Sequence, residues 1–213
     1  MGRGGAVAVQ KKRYAPKIIK WVRVVAFGGA LIPAIALVVG FFTDDLTANP
    51  IEYITRQTGY WALTLLMITL AVTPVRRLTG WNEIIKLRRM FGLFAFFYAT
   101  LHLLTWIVLD KFFDFPWMLE DIADRRFITI GMLTWLLLLP LAVTSTKKMV
   151  KRLGKQWQTL HRLAYVAAVT GVIHYWWLVK ADLFYPQMLS VALAVLFAIR
   201  VWWAWRTRML SRS

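Results

Sequence analysis

The sequence contains no cysteine. That excludes disulfides, iron–sulfur clusters held by thiolates and haem attached through a Cys-x-x-Cys-His motif. Acidic residues are also scarce, ten Asp and Glu against 27 Lys and Arg, for a formal net charge of +17. A charge this high suggests nucleic acid as a partner. The distribution excludes it, because the basic residues stand in short blocks between apolar runs and no block forms a basic domain. Low-complexity linkers are missing, and no internal repeat is read. Histidine is rare, with three in the chain, His102, His161 and His174.

Apolar side chains are abundant. Hydrophobic residues make up 59% of the chain, with 12 Trp and 13 Phe, and the mean hydropathy is +0.55. Such values exclude an ordinary soluble protein, and aromatic residues collect at membrane interfaces. Six apolar segments are read near 21–42, 59–73, 90–109, 127–143, 157–178 and 188–205. A bilayer core of ~30 Å takes about 20 helical residues. The second segment is short and is extended back toward Tyr53; the fourth is at the lower limit. Alternation of the kind a membrane barrel needs is absent. The expected fold is therefore all-α: an integral membrane bundle of six helices at 21–205, with basic tails at 1–20 and 206–213. Asn49-Pro50, Pro74, Phe115-Pro116 and Pro186 mark helix boundaries, while Pro33 and Pro140 fall inside helices as kinks. The basic start, the apolar run and Ala34-Ile35-Ala36 resemble a signal peptide loosely, but the run to Phe42 exceeds an h-region and favours a retained helix.

The connections alternate in charge. One side collects 21 Lys and Arg against a single acid, Glu83; the other collects five against nine acids, with Arg200 inside the sixth segment belonging to neither. Lys/Arg bias orients membrane helices, so both termini are expected in the cytoplasm.

Histidine in a membrane segment is functional by default, although each could simply bond a neighbouring helix. His102 lies ~18 Å into the third segment and His174 ~25 Å into the fifth, both from the cytoplasmic side at 1.5 Å per residue. Two neutral imidazoles at similar depth on facing helices suit the two axial positions of one haem. His161 lies ~20 Å below His174. Zinc is a competing metal, but it wants a third or fourth ligand, and the third and fifth segments hold no carboxylate except Asp110 at the outer edge. A proton relay normally recruits embedded carboxylates, which are missing.

The stretches "RRMFGLFAFFYATLHLLTW" (88–106) and "LGKQWQTLHRLAYVAAVTGVIHYWW" (153–177) resemble the haem-binding membrane subunits of bacterial methionine sulfoxide reductase systems, within the ferric reductase-like transmembrane family. "TGYWALTLLMITLAVTPVRR" (58–77) and "LAVTSTKKM" (141–149) extend the resemblance over nearly the whole chain. It implies a haem b electron-transfer subunit of an oxidoreductase, not the catalytic subunit itself. Electrons would come from the quinone pool or a cytoplasmic flavin reductase. They would pass to an MsrP-like periplasmic molybdenum-cofactor subunit, from a multi-pass protein of the bacterial inner membrane. FMN is implied by the resemblance alone; no flavin motif and no Gly-x-Gly-x-x-Gly is present. Relatives in the wider family carry two histidines on each of two helices, binding two stacked haems. Here the outer pair, His102 with His174, is intact, and the thirteen-residue spacing from His161 to His174 is kept. Fourteen residues before His102 stands Arg88, so the inner pair is Arg88 with His161. Guanidinium is a poor metal ligand. The inner site therefore holds a second haem on His161, or Arg88 binds a propionate, a flavin phosphate or a quinone, or Arg88 is plain positive-inside charge. Trp157, one turn before His161, reads as an interface anchor. The alternatives in function are a stand-alone ferric or quinone reductase and a structural membrane protein.

Overall fold

A computed structural model describes residues 16–211. Arg3, Lys11, Lys12, Arg13 and Arg212, counted in the basic tails, lie outside the described residues. The described chain is all-helical: α1 (Pro16–Phe42), α2 (Pro50–Thr79), α3 (Ile85–Leu104) continued by a π-helical turn (Thr105–Asp110), α4 (Phe115–Asp124), α5 (Arg126–Val143), α6 (Lys147–Leu153), α7 (Lys155–Leu160), α8 (Leu163–Leu178) and α9 (Phe184–Leu210). Five helices, α1, α2, α3 with its continuation, α5 and α9, are long and apolar enough to cross a membrane. This is a multi-pass membrane protein. The fifth expected span is shorter than expected, because a turn at His161–Arg162 separates α7 from the 16-residue α8.

Local chemistry explains the boundaries. Asn49 caps α2 by accepting the Glu52 N–H, with Pro50 in the first turn where its missing N–H costs nothing. Gly80 closes α2 in the left-handed conformation, φ 70°, with its N–H on the Arg76 carbonyl. Pro74, expected to end the helix, lies inside α2. The carbonyl that loses its Pro74 N–H partner, that of Leu70, accepts instead from Arg200 Nη2 of α9 at 2.5 Å. Arg200 also reaches its own Leu196 carbonyl and the Tyr165 hydroxyl. A second side chain enters a backbone ladder in α1. There, beside Pro33, the Tyr98 hydroxyl of α3 is inserted between two backbone groups, donating to Ala30 O at 2.7 Å and accepting from Ala34 N–H at 3.0 Å. In an apolar medium a freed backbone group must find such a partner.

The core is formed by two antiparallel hairpins, α2 with α3 and α5 with α8. Gly59 of α2 faces His102 of α3 and Gly92 of α3 faces Thr69 of α2, so the first hairpin is antiparallel; Gly131 faces His174 and Thr134 bonds Thr170 in the second. The hairpins pack together through Leu63 against Gly171, Trp135 Nε1 on the Thr100 hydroxyl, and Phe96 stacked on Trp135.

An internal repeat is present after all. Gly59 and Gly131, and His102 and His174, are each 72 residues apart and occupy matching places in the two hairpins. Leu70-Ala71-Val72-Thr73 with Arg76-Arg77 returns as Leu141-Ala142-Val143-Thr144 with Lys147-Lys148, 71 residues on. The one-residue slip and the small number of identities hide the repeat in the linear sequence; a common inside face preserves it in space.

Candidate functional site

His102 and His174 come together at one end of the bundle, with ring centroids 5.9 Å apart and an interplanar angle of 78°. Each ring is held the same way. His102 Nδ1 is 2.8 Å from the Thr55 carbonyl, and His174 Nδ1 is 2.6 Å from the Phe127 carbonyl. Both partners lie 47 residues upstream, near the start of the opposing helix. A carbonyl only accepts, so each Nδ1 carries the proton and each Nε2 keeps its lone pair. No hydrogen bond engages either Nε2 among the described residues. An imidazole fixed through Nδ1–H is the usual state of a metal-ligating histidine, since the second bond sets tautomer and orientation.

Glycine makes the room. A Cβ at Gly59 would stand 3.0 Å from His102 Cε1, and one at Gly131 would stand 2.8 Å from both Cε1 and Nδ1 of His174. Only a residue without a side chain lets each ring lie against the opposing backbone. Phe127 adds an aromatic wall, its ring 6.4 Å from that of His174.

The pair passes the test for a haem. The two rings stand 5.9 Å apart, and each Nε2 keeps a lone pair that a haem iron would take. Phe127 and two glycines border the rings, and a bis-imidazole iron needs no further protein ligand. Among the described residues no three His, Asp or Glu side chains converge as a metal site. The donor set therefore suits a prosthetic group that brings four of its own ligands better than a bare zinc ion.

His161 stands apart, at the turn between α7 and α8. The turn means that His161 and His174 do not share one continuous helix. Its Nδ1 contacts the Trp157 carbonyl at 3.0 Å and its ring stacks on Trp157 at 3.8 Å. Its Nε2 is buried and makes no hydrogen bond within ordinary geometry among the described residues, although the Leu141 backbone lies close enough to act on the ring. Trp157 is more than an interface anchor: its Nε1 donates to the Thr144 carbonyl, so it ties the end of α5 to the turn that carries His161. Arg88 is half-buried and close enough for its charge to act on His161, whereas Arg89 is exposed. The internal repeat maps His161 onto position 89, adjacent to Arg88. Hence no second imidazole faces His161 in the first hairpin.

Four determinants escaped the sequence reading: Gly59, Gly131 and the carbonyls of Thr55 and Phe127. A search for self-similarity at 72 residues would have found the glycines. The carbonyls carry no side-chain signal.

Residues 58–172 match the family described as ferric reductase like transmembrane component. The chain is 51% identical to a protein of Herminiimonas arsenicoxydans over 91% of its own length and 90% of the relative's. It is 50% identical to one of Ralstonia nicotianae over 90% and 89%. With one of Rhodospirillum rubrum it shares 47% identity over 99% and 98%. All three relatives are named protein-methionine-sulfoxide reductase heme-binding subunit MsrQ.

Proposed function

The chain belongs to the ferric reductase-like transmembrane family and, within it, to the MsrQ proteins, and on that premise we propose that it is the haem b electron-transfer subunit of a methionine sulfoxide reductase system. The observation that carries this reading is the matched pair His102 and His174, each with Nδ1 on a backbone carbonyl and each ring over a glycine. In it Nε2 of both residues would hold the haem iron. Thr55 and Phe127 fix the tautomer, and Gly59 and Gly131 fix the depth of the rings. When bound, the haem supplies one-electron chemistry; the protein contributes position, an apolar surround and control of access.

In the same reading the protein crosses the bacterial inner membrane six times, with 21–205 as the membrane domain and both termini in the cytoplasm. Two facts support this. The 16 residues of α8 are ~24 Å long and reach the ~30 Å of a bilayer core together with the turn and α7. The connection at 111–125 joins the histidine-pair end of the bundle and is acid-rich, whereas Arg76, Arg77, Lys147 and Lys148 lie toward the other end. Electrons would enter from the quinone pool or a cytoplasmic flavin reductase, and leave at the histidine-pair end to an MsrP-like molybdenum-cofactor subunit in the periplasm.

A second reading concerns the inner level and rests on the buried Nε2 of His161, which makes no hydrogen bond within ordinary geometry among the described residues. There a further group binds between His161 and Arg88, either a second haem on His161 alone or an anionic cofactor edge, such as a flavin phosphate, on the guanidinium.

Absorption spectra of purified protein from haem-replete cells test both. The expected result is a reducible b-type spectrum that is lost in His102→Ala and in His174→Ala. Colourless wild type rejects the main reading. Haem stoichiometry in His161→Ala decides the inner haem: a full complement in that variant removes it.

A further inference from the structure

The segment that links the two halves of the histidine site has features that the pair itself does not use. Directly after His102 the helix widens into the π-turn Thr105–Asp110, a form that clusters at functional sites. Phe112 and Phe113 follow with φ of 48° and 62°. Two consecutive aromatic residues in left-handed backbone are strained, and they persist only where the surroundings hold them.

The hold is visible. Lys111 is 2% exposed. Its Nζ lies 2.5 Å from Asp121 Oδ2 of α4 and 3.6 Å over the ring of Trp117. The other oxygen of Asp121 is 3.2 Å from Arg125 Nε. Asp121 thus ties the beginning of the segment to its end and buries the ion pair beneath α4. The consequence is outward display: Phe112 is 75% exposed, and Phe115 and Leu119 are 65% and 68% exposed. The acids among them, Asp114, Glu120 and Asp124, are exposed as well.

An apolar ridge beside membrane spans could lie on lipid. Helices that do so carry Lys and Arg on the polar face, which anionic headgroups attract. Helix α4 has neither between Phe115 and Asp124; of the three cations flanking it, Lys111 and Arg125 are bonded to Asp121, which leaves Arg126 alone exposed without an ion pair among the described residues. Aromatic anchors in an acidic rim are what a protein partner with the opposite rim would meet.

We propose that the 112–124 face is the docking surface for the soluble redox partner at the histidine-pair end, and that this partner presents an apolar patch ringed by Lys and Arg. The proposal rests on the electron-transfer reading above and deepens it by assigning the contact. The location suits the task. The face starts ten residues after His102 and ends three residues before Phe127, whose carbonyl holds His174, so a partner seated there covers the outer end of both half-sites.

The test uses the full-length, haem-loaded chain in nanodiscs, with the molybdenum-cofactor sulfoxide reductase subunit of the same organism as probe. One variant carries Phe112→Ser, Phe115→Ser and Leu119→Ser; another carries Glu120→Lys and Asp124→Lys. Each is expected to raise the Kd for the probe about tenfold or more, while haem content and the dithionite-reduced spectrum stay unchanged. Wild-type affinity is expected to fall with added salt, and that of the charge-reversed variant is not. Wild-type affinity in both variants overturns the docking surface and leaves the electron-transfer reading intact. Loss of haem or of nanodisc incorporation, with affinity for the probe kept, assigns the ridge to the bilayer and also overturns it. A wild type with reducible haem that neither binds the probe nor passes electrons to it overturns the function reading and the docking surface together.

Discussion

At Gly131 a methyl group would stand 2.8 Å from two ring atoms of His174, against 3.0 Å from one ring atom of His102 at Gly59. The backbone of α5 cannot retreat without breaking the Phe127 bond that orients the ring. Gly131→Ala should therefore cost about 1–3 kcal/mol through overpacking and lower haem loading several-fold, read by pyridine haemochrome. Gly59→Ala should have the same effect to a lesser degree. A larger loss in Gly59→Ala would contradict this ordering. Tyr98 makes a different point. It is fully buried, and its hydroxyl occupies the ladder of α1 at Ala30 and Ala34. Tyr98→Phe removes two hydrogen bonds but frees Ala34 N–H to bond Ala30 O again, one turn below. The net cost should be modest, about 1 kcal/mol, and would be measured as a small fall in thermal stability in detergent.

On the scale of elements, a proline that a sequence reader treats as the end of a helix becomes a docking point. Pro74 leaves the Leu70 carbonyl without its helical donor, and Arg200 supplies one from α9. Arg200→Met should destabilise the protein by about 1–3 kcal/mol, because hydrogen bonds to a charged group are the stronger ones. In a Pro74→Ala background the backbone N–H returns, and the same substitution should cost about 1 kcal/mol less. Unfolding of the four members of this double-mutant cycle measures the coupling; a coupling of zero would mean that the guanidinium does not replace the missing N–H. The helix that carries His174 shows the opposite relation. An apolar run at 157–178 reads as one span, yet the chain turns at His161–Arg162, and α8 starts beyond it. Hydropathy reports which residues avoid water and is blind to a turn in which every side chain still does so. The acidic connection 110–125 hid its content for the opposite reason: its charge reads as a loop, while the buried Lys111–Asp121 pair organises it as a lock and a helix.

For the molecule as a whole, the two hairpins α2–α3 and α5–α8 contribute matching half-sites, each made of a carbonyl, a glycine and a histidine. One symmetric ligand plane between two equal halves is the natural outcome of that arrangement. The charge asymmetry of the ends then decides which way the site faces. A fluorescent protein fused after the last residue should fluoresce, and a periplasmic phosphatase fused there should be inactive; an active phosphatase would reverse the proposed orientation and put the histidine pair on the cytoplasmic side. Moving four Lys or Arg from the 147–155 connection into the 111–125 connection should yield mixed orientation with the same pair of reporters.

By itself the sequence determined the all-helical membrane class, through long apolar runs that leave the backbone no other way to satisfy its polar groups. It also singled out His102 and His174 as candidates, since histidine is costly in lipid without a partner. The family was also legible, in the motifs around both residues. Only the tertiary structure decided which atoms hold the rings. Backbone carbonyls and missing Cβ atoms are common to every sequence and become determinants only where two helices meet. Tertiary structure likewise paired Arg200 with the carbonyl freed by Pro74, sorted half-buried Arg88 from exposed Arg89, and left His161 with tryptophan on one side and no second histidine on the other. Apart from the Trp157–His161 stack, these are relations between elements 47 to 130 residues apart, and no local pattern of residues encodes a distance of that kind.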